Sequence, residues 1–536
     1  MSSKQSSEKS KDPVQGLIDV EQILLRFIDT PEFQRLRRLH QLGLANHVYP
    51  ACTHTRFEHC LGTYYLARRL TDAINSEDNY EKLSANESLS IRIAALCHDL
   101  GHGPFSHTWE KFILQGGPHY KVFEHEEMSC LILRSIVAKD EILQKMLKEK
   151  GVDLNLVCDL IRGHPSPEVA KQIGNRKFIF EIVSNAQNGN DVDKWDYIMR
   201  DSLHAGFGQG SSIIELDRLI RFYRPALDPA DGAWHMAFRA SERENVLRIF
   251  SQRLCLYRKL YSHKTTRALE AMYLDIFNAL DPILHLRDIC LSAASGDSEA
   301  LHEFLRLDEH SLWSMASSGF PRLLKESSPE IEENLRRCRI LCQRIQLRQF
   351  YSLVGRFDLN VKKPLPKCRS CSKNQQDISR DGRFFLDSTF AEAGNRLLSA
   401  LEVETLGDKD KILGEIFAKL PPNSPVKSVN ELRLTVTVQA TNSTNEPPIF
   451  FAYDSLPDAY SFSYSVSSDE KVSLRVINRI GAYYVKLYNC LVLWTGPIQW
   501  DTEVDLSIRG PPKVPDCLVK AFEDWINEKR AAPACH

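Results

Sequence analysis

The sequence predicts a mainly α-helical protein with a smaller α+β lobe at its C-terminal end. Through most of the first 355 residues, apolar side chains recur at helical spacing and strand-type alternation is nearly absent. Towards the C-terminus, runs such as ELRLTVTVQA at 431–440 alternate as strands do. With 536 residues, 43% of them hydrophobic, the chain can bury a large core and hold more than one structural unit.

Four stretches differ in composition. Residues 1–11 are polar and rich in Ser and Lys, which predicts a disordered tail. We predict a helical core at residues 12–355, a loop or linker at 356–385 and the α+β lobe at 386–536. Within the core, helices are expected at 32–44, 59–74, 89–98, 125–137, 242–261 and 265–280. In the lobe, strands are expected at 431–440, 461–466, 472–476 and 483–493, with a helix at 518–528.

Composition also narrows the class of protein. A net charge of -2 gives no overall electrostatic reason to bind nucleic acid or a membrane, although local basic patches remain open. The 14 cysteines are scattered through apolar stretches, which favours a reducing compartment, the nucleus or the cytoplasm. No signal-peptide pattern and no apolar run long enough to cross a bilayer is visible. We therefore expect a soluble intracellular protein.

The run CHDLGHGPFSH at 97–107 is the most informative feature of the sequence. His98 and Asp99 place a nitrogen ligand and an anionic oxygen ligand side by side, after an apolar helical run that carries them into the interior. Buried imidazole and carboxylate groups are costly unless they are paired or coordinated. His59 and Asp193 begin two other predicted helices, and together the four residues indicate a metal site for an ion such as iron, zinc or manganese.

Each of these residues also has an ordinary structural interpretation. His59 alone would more often be a capping or core histidine. His98 and Asp99 alone could end a helix at an Asp-Leu-Gly turn, and Asp193 alone could be a charge near a helix N-terminus. The metal interpretation depends on their occurring together with the long histidine-rich run.

Five runs give a more specific interpretation. They are DPVQG at 12–16, IDTPEFQRLRRLHQLG at 28–43, RFEHCLGTYYLA at 56–67, LCHDLGHGPFSH at 96–107 and DVDKWDYIMRD at 191–201. Together they resemble the HD-domain deoxynucleoside triphosphate triphosphohydrolases, and in particular the vertebrate SAM-and-HD-domain dNTPases. The resemblance implies an HD-domain helical core over residues 12–355. We expect no SAM module, since only about a dozen residues precede Asp12.

The resemblance implies hydrolysis of a dNTP to a deoxynucleoside and inorganic triphosphate, with His59, His98, Asp99 and Asp193 holding one ion. It places His107 near the leaving oxygen and His102 and His125 in the same pocket. The family has Asp where this chain has Glu110, and the additional methylene moves the carboxylate by about 1 Å, a displacement that can alter the rate. Glu110 could instead simply cap its helix. The resemblance also implies a substrate pocket, in which positive side chains neutralise the triphosphate (Arg56, Lys194, Arg253) and other residues contact the sugar (Gln41, Leu42, Tyr197, Asp201, Tyr261).

Activator sites and assembly are implied in the same way. Asp29, Gln34 and Arg37 match the residues that bind guanine, an arrangement that complements the edge of that base. A second, deoxynucleotide site is matched by Val48, Tyr49, Arg218, Arg239, Asn245 and His263. Leu17 and Ser241 replace family His and Lys residues there, so weaker or different binding is expected. The resemblance further implies Mg²⁺ with the nucleotides, a homotetramer, control of dNTP pools and antiviral defence.

Two other classes of function remain open from the sequence. The first is another HD phosphohydrolase, acting on a guanosine alarmone or a cyclic nucleotide. The second is a catalytically weakened protein that binds nucleotides or single-stranded nucleic acid. The long motifs at 96–107 and 191–201 favour the dNTP triphosphohydrolase over the first, and the four intact metal-ligand positions favour it over the second.

Overall fold

Helices dominate the chain, and the mainly α prediction is confirmed. The computed structural model describes residues 8–76, 81–117, 123–208, 214–228, 231–318, 328–361, 401–403, 409–439, 451–453, 475–476, 487–495 and 510–531. Its α-helices are Gln22–Ile28 (α1), Pro31–Gln34 (α2), Arg56–Asn75 (α3), Ala85–Cys97 (α4), His107–Leu114 (α5), His125–Lys139 (α6), Glu141–Glu149 (α7), Leu154–Arg162 (α8), Pro167–Ile173 (α9), Val192–Ala205 (α10), Leu216–Phe222 (α11), Arg243–Leu256 (α12), Lys264–Leu284 (α13), Leu286–Ala294 (α14), Ser298–Arg306 (α15), Glu309–Ser318 (α16), Pro329–Gln346 (α17), Lys409–Phe417 (α18) and Asp516–Ala531 (α19).

The strands form three small sheets. They are Glu8–Asp12 (β1), Gly16–Val20 (β2), Tyr223–Asp228 (β3), Ala233–Arg239 (β4), Ser352–Val361 (β5), Leu401–Val403 (β6), Leu432–Gln439 (β7), Phe451–Tyr453 (β8), Arg475–Val476 (β9) and Leu487–Trp494 (β10). Strands β1 and β2 pair alone, and the two four-stranded sheets have the orders β3-β4-β8-β9 and β6-β5-β10-β7.

The disordered tail predicted for 1–11 is wrong for its last residues. Glu8–Asp12 pairs antiparallel with Gly16–Val20. The Asp12 carboxylate accepts the backbone N–H groups of Val14 and Gln15 at 2.8 and 2.7 Å, which closes the hairpin turn. Its other oxygen accepts from buried Arg200 at 2.8 Å, so a long-range ion pair overrides the polar composition of the segment. Residues 1–7 lie outside the described residues.

The single helix predicted at 32–44 is also wrong. The chain forms the short α2 and then 3₁₀ turns at Arg35–Arg38 and Gly43–His47, with Leu39 extended between them. The backbone N–H of His40 donates to the Glu309 carboxylate at 3.0 Å instead of to a helical carbonyl. Gly43 has a φ of 49°, which stops a helix. Tertiary contacts therefore outweigh the helical periodicity of this segment.

The other predicted core helices are found, with shifted ends. The segment at 59–74 lies in α3, 89–98 ends one residue beyond α4, and 125–137 lies in α6. The segment at 242–261 is α12 followed by a π-helical turn at Tyr257–Tyr261. Strands β3 and β4 were not expected in the core. They are short, mostly buried runs joined through Gly232, whose φ is 69°.

Backbone contacts divide the described chain into two units that do not follow the predicted boundaries. The first comprises Met1–Thr266, Tyr273–Cys342 and Asn442–Tyr483, and the second comprises Arg267–Met272, Gln343–Thr441 and Tyr484–His536. The predicted border at 355/356 therefore falls inside β5. Strands β8 and β9, from the expected lobe, extend the β3-β4 sheet of the first unit, because β8 pairs parallel with the free edge of β4.

The second unit has its own α+β core. Strand β10 lies between β5 and β7, antiparallel to both. Val354, Leu432 and Val492 pack with Ile416 and Trp525 of the two helices α18 and α19. The strand predicted at 461–466 and most of the 356–385 linker lie outside the described residues. Of the helices in the described part, none is long and apolar enough to cross a membrane.

Candidate metal centre and nucleotide site

Three helices of the first unit bring the four predicted metal ligands together. His59 lies in the first turn of α3, and Asp193 lies in the first turn of α10. His98 is the C-cap of α4, and Asp99 follows it directly. The site is therefore assembled from the ends of three helices.

Local sequence determines where two of these helices begin. Helix α4 starts with a capping box in which Ser84 and Glu87 each accept the other's backbone N–H. Helix α10 starts at Asp191, whose carboxylate accepts the backbone N–H of Lys194 at 3.0 Å. Such caps are worth about 1 kcal/mol each and fix the position of the first turn.

Three of the four side chains, those of His59, His98 and Asp193, converge on one point, and Asp99 borders them. The Nε2 atoms of His59 and His98 lie 3.3 Å apart, and Asp193 Oδ1 is 3.1 Å from the first and 3.6 Å from the second. Asp99 Oδ1 lies 3.4 Å from His98 Nε2. These separations let one ion reach His59, His98 and Asp193 with the usual bonds of about 2.0–2.2 Å, whereas Asp99 also forms a second such group with His102 and His125. Two imidazoles with two carboxylates form a donor set that suits zinc, iron or manganese.

The charge of the site also favours a cation. Burial lowers the pKa of His59, but the carboxylates of Asp193 and Asp196 outweigh it and raise that pKa to about 10. The pocket at His59 Nε2 therefore stabilises positive charge, which a divalent metal supplies in place of a proton.

Hydrogen bonds to the far side of each imidazole point its Nε2 atom at this centre. The Nδ1 atom of His59 lies 2.9 Å from Asp196 Oδ2, and that of His98 lies 2.9 Å from the Ala95 carbonyl oxygen. Each acceptor requires a proton on Nδ1, so Nε2 is left with its lone pair. This is the second layer of bonding found around metal-bound histidines.

Asp196 was not predicted from the sequence, yet it organises this second layer. It accepts from both Nε and Nη2 of Arg200 at 2.8 and 3.0 Å, and from Gln15 at 2.8 Å. Burial raises the pKa of Asp196, but Arg200 and His59 outweigh it and hold that pKa below its usual range. Gly62 leaves the space for this carboxylate, because an added Cβ would stand 2.0 Å from Asp196 Oδ1.

A second group of titratable side chains adjoins the metal cluster. Glu110 Oε2 lies 3.0 Å from His107 Nδ1, and Glu110 Oε1 lies 2.8 Å from His125 Nδ1. The rings of His102 and His125 stack with their centres 4.0 Å apart. His102 Nε2 is 3.3 Å from Asp99 Oδ1, so Asp99 touches both groups. The structure thus brings together all four residues predicted for proton transfer.

The side chains of this second group differ in their pKa shifts. Burial raises the pKa of Glu110, but His107 and His125 outweigh it and hold that pKa well below its usual range. Burial lowers the pKa of His125, but the bond to Glu110 outweighs it and raises that pKa to about 9. Burial, Arg56 and His125 hold the pKa of His102 well below its usual range. A neutral imidazole and a charged one are therefore stacked beside a carboxylate.

The predicted triphosphate cations fall into two environments. Arg56 is buried and pairs with Asp99, so its charge is directed at the metal cluster. Lys194 and Arg253 flank Gly189, whose added Cβ would lie 3.3 Å from Lys194 Cε and 3.6 Å from Arg253 Nη1. Lys194 and Arg253 therefore lie together beside the start of α10, near Asp193, the predicted metal ligand in its first turn.

Among the predicted sugar residues, buried Asp201 is bonded to half-buried Tyr261. Asp201 Oδ2 accepts from the Tyr261 hydroxyl at 2.5 Å, and Asp201 Oδ1 lies 2.8 Å from His54 Nε2. The backbone N–H of Gln41 donates to the His54 carbonyl at 3.0 Å. His54 was not predicted. The remaining predicted residues of this group are Leu42, next to Gln41, and Tyr197, one turn before Asp201 on α10.

The predicted guanine residues lie near the start of α2. Asp29 is the C-cap of α1. Gln34 donates to the Ile28 carbonyl at 2.8 Å and accepts from Arg37 Nε at 2.8 Å. The Arg37 guanidinium stacks 3.5 Å from the centre of the Phe57 ring, at the beginning of α3. The three residues therefore lie on consecutive turns of one surface segment.

The second predicted activator set forms two small groups. The Tyr49 ring, next to Val48, meets the His263 ring edge to face at 6.0 Å. Arg218 and Arg239 both lie over the ring of Phe222, at 5.5 and 5.4 Å. Arg218 also pairs with Glu242, and Asn245 Oδ1 accepts the backbone N–H of Glu215 at 2.9 Å.

Comparison with known proteins gives the class of this centre. Residues 56–200 match the HD domain, and this range contains all four predicted metal ligands. The chain is 32% identical over 416 residues to the deoxynucleoside triphosphate triphosphohydrolase SAMHD1 homolog of Dictyostelium discoideum, covering 78% of this chain and 72% of that protein. The fold and site therefore define an HD-domain protein.

The vertebrate relatives carry the same name. Identity is 34% over 362 residues to the deoxynucleoside triphosphate triphosphohydrolase SAMHD1 of Bos taurus and 32% over 363 residues to that of Xenopus laevis. Each alignment covers 64% of this chain, and it spans 58% and 55% of the two relatives. The chain belongs to the SAMHD1 family of HD-domain deoxynucleoside triphosphate triphosphohydrolases.

Replacing Gly62 by Ala tests the second layer of the metal centre. The new Cβ would overlap Asp196 Oδ1 and displace the carboxylate that orients His59. We predict that Gly62→Ala weakens metal affinity by about 10–100-fold, the usual effect of losing an outer-layer partner, so that less metal per chain survives purification. Metal content is measured by elemental analysis of the purified protein.

Gly414→Ala is the matched control. Gly414 is also helical, but an added Cβ there would meet no atom within 4 Å. It should leave the metal content unchanged and alter stability by no more than about 1 kcal/mol. Full metal occupancy in Gly62→Ala would contradict the role assigned to Asp196.

Proposed function

We propose that this protein hydrolyses dNTPs to deoxynucleosides and inorganic triphosphate in a metal-dependent reaction. The convergence of His59, His98 and Asp193, whose ligand atoms lie within 4.8 Å of one another, with Asp99 Oδ1 3.4 Å from His98 Nε2, carries the proposal. The Glu110–histidine group on one side of the centre and the Lys194–Arg253 pair beside α10 supply the remaining chemistry. The family relationship supplies the substrate class.

The metal would be held by His59, His98, Asp99 and Asp193. When bound, such an ion lowers the pKa of a bound water and polarises a phosphoryl oxygen. The donor set admits iron, zinc or manganese. Mg²⁺ is proposed as the partner of the nucleotide phosphates, because magnesium is normally bound through phosphates and few protein carboxylates.

The leaving 5′-oxygen needs a proton, and the histidine group can provide one. His107 has an exposed side chain (73%) and its Nδ1 lies against Glu110, so its Nε2 is available to a bound substrate. Glu110 Oε2 is hydrogen-bonded to His107 Nδ1 at 3.0 Å, and its Oε1 lies 2.8 Å from His125 Nδ1 as an ion-pair partner. Glu therefore reaches both imidazoles although the family has Asp at this position.

The remaining pocket residues are proposed to bind the substrate. Lys194 and Arg253 would neutralise the triphosphate, whose charge demands several cations. Arg56 would act from behind Asp99 and reduce the negative charge of the metal cluster. The Asp201–Tyr261 pair, with the other sugar residues Gln41, Leu42 and Tyr197, would contact deoxyribose. Tyr261 in this role would disfavour a 2′-hydroxyl.

Regulation and assembly are proposed from the family relationship. GTP would bind at Asp29, Gln34 and Arg37, and a dNTP more weakly at the Tyr49–His263 and Arg218–Asn245 groups. Binding of both would promote a homotetramer. A nuclear or cytoplasmic enzyme of this kind would limit dNTP pools and contribute to antiviral defence, and it could bind single-stranded nucleic acid.

The experiment is a product assay on the purified full chain. Each dNTP is incubated with and without GTP, and the products are separated by ion-exchange chromatography. Inorganic triphosphate in equal amount to deoxynucleoside supports the proposal, and so does its loss on chelation and recovery with Fe²⁺, Zn²⁺ or Mn²⁺. Pyrophosphate, a linear nucleotide or no product at all would refute it.

Removing the Glu110 carboxylate tests its role apart from metal binding. We predict that Glu110→Ala lowers kcat by about 10²–10³-fold, the usual contribution of oriented proton transfer. Metal content should remain near that of the unaltered protein. Glu126→Ala is the control, because Glu126 also lies near His125 Nδ1, at 3.3 Å, but is more exposed. Equal loss of activity and metal in Glu110→Ala would contradict this role.

The pH profile tests the Glu110–His125 pair. We propose that His125 supplies the positive charge of the histidine group beside His107; it keeps its proton up to a pKa of about 9, so kcat/KM should decline as pH rises through that value. In Glu110→Gln the attraction that raises this pKa is gone, and the decline should move to lower pH by about one unit or more. Profiles with the same alkaline decline in both proteins would show that another group controls it.

A further inference from the structure

The turn that leads from the HD pair into α5 has an unusual backbone. Phe105 and Ser106 have φ values of 60° and 54°, in the left-handed region that residues with side chains rarely adopt. Ser106 is the N-cap of α5, which carries His107 and Glu110. The direction of α5, and with it the reach of Glu110, therefore depends on a strained turn. Such turns persist only where the surroundings hold them.

One buried carboxylate holds this turn. Glu309 is the first residue of α16 and only 6% exposed. Its Oε1 accepts the backbone N–H of Phe105 at 3.3 Å and that of His40 at 3.0 Å. Its Oε2 contacts His40 Nδ1. A single side chain thus joins the turn to the extended segment at His40.

Two further contacts tie the same two segments together. The Ser106 hydroxyl lies 3.4 Å from the His40 carbonyl, and its oxygen accepts from Arg56 Nε at 3.0 Å. Buried Arg35 donates to the His102 carbonyl at 2.9 Å. His102 and Ser106, at the two ends of the turn, are therefore hydrogen-bonded to residues in 35–40, and Phe105 between them is hydrogen-bonded to Glu309.

We propose that Glu309 is a positioning residue for this active-site turn. By holding the Phe105 backbone it fixes the start of α5, so that Glu110 reaches both His107 and His125. Glu309 does not touch the metal cluster or the Glu110–histidine group itself. The inference rests on the proposed function in so far as the turn is taken to serve catalysis.

The chain offers two informative variants at this position and one matched control. Glu309→Ala removes the acceptor for both backbone N–H groups, whereas Glu309→Gln keeps a carbonyl oxygen that can accept from both. Glu181 supplies the control, because it too is buried and accepts a histidine Nδ1 and a backbone N–H, those of His235 and Met236 at 2.6 Å each. Glu181→Ala therefore removes the same chemistry away from the turn.

We expect Glu309→Ala to lower kcat by about a hundredfold, the scale of a displacement near 1 Å, with KM changed less than about threefold. Glu309→Gln should recover most of this loss, and metal content should stay constant in all variants. Amide hydrogen exchange should quicken in peptides covering 103–112 in Glu309→Ala alone. Glu181→Ala should leave both kcat and exchange at 103–112 unchanged.

Three results would overturn the proposal: unchanged kcat and exchange in Glu309→Ala, loss of metal along with activity, or equal losses in Glu309→Ala and Glu181→Ala. The last would show general destabilisation rather than positioning. Hydrogen exchange is independent of the reaction. If the unaltered protein releases no triphosphate, the proposed function fails, while exchange at 103–112 still decides whether Glu309 holds the turn.

Discussion

The bond between Asp196 and His59 is the interaction on which the centre depends. A histidine that binds a metal through one nitrogen almost always donates the N–H of the other to an acceptor, and Asp196 is that acceptor for His59. The carboxylate is itself fixed by Arg200 and Gln15, and Arg200 is fixed by Asp12 in the N-terminal hairpin. The hairpin, α3 and α10 are thus joined by one buried chain of charges, whose partners compensate for their desolvation.

A second carboxylate, Asp99, links the metal ligands to the proton-transfer group. Its Oδ1 lies 3.4 Å from His98 Nε2 and 3.3 Å from His102 Nε2, and it also pairs with Arg56. The two halves of the chemistry therefore share an electrostatic environment. Arg56 offsets the carboxylate charge that would otherwise raise the pKa of His102, so this imidazole stays neutral while His125 is protonated.

The sequence predicted the mainly helical fold and indicated His59, His98 and Asp193, which the structure brings together, because both leave local patterns. It missed what depends on tertiary contacts. The segment at 32–44 has helical periodicity, but Glu309 and Gly43 break it. Asp196 stands three residues after Asp193 and so near the same helix face, a spacing that could have indicated it. The hairpin at residues 8–20 had no comparable signal, since its anchor Arg200 lies 188 residues away from Asp12.

Locating the bound metal tests the central claim most directly. A crystal of the full chain grown with Fe²⁺ or Mn²⁺ would be measured at the absorption edge of that metal, and an anomalous difference map calculated. The account predicts one strong peak about 2.0–2.2 Å from Nε2 of His59 and His98 and from oxygens of Asp99 and Asp193. A metal bound elsewhere, or none bound at these residues despite saturating metal, would contradict it.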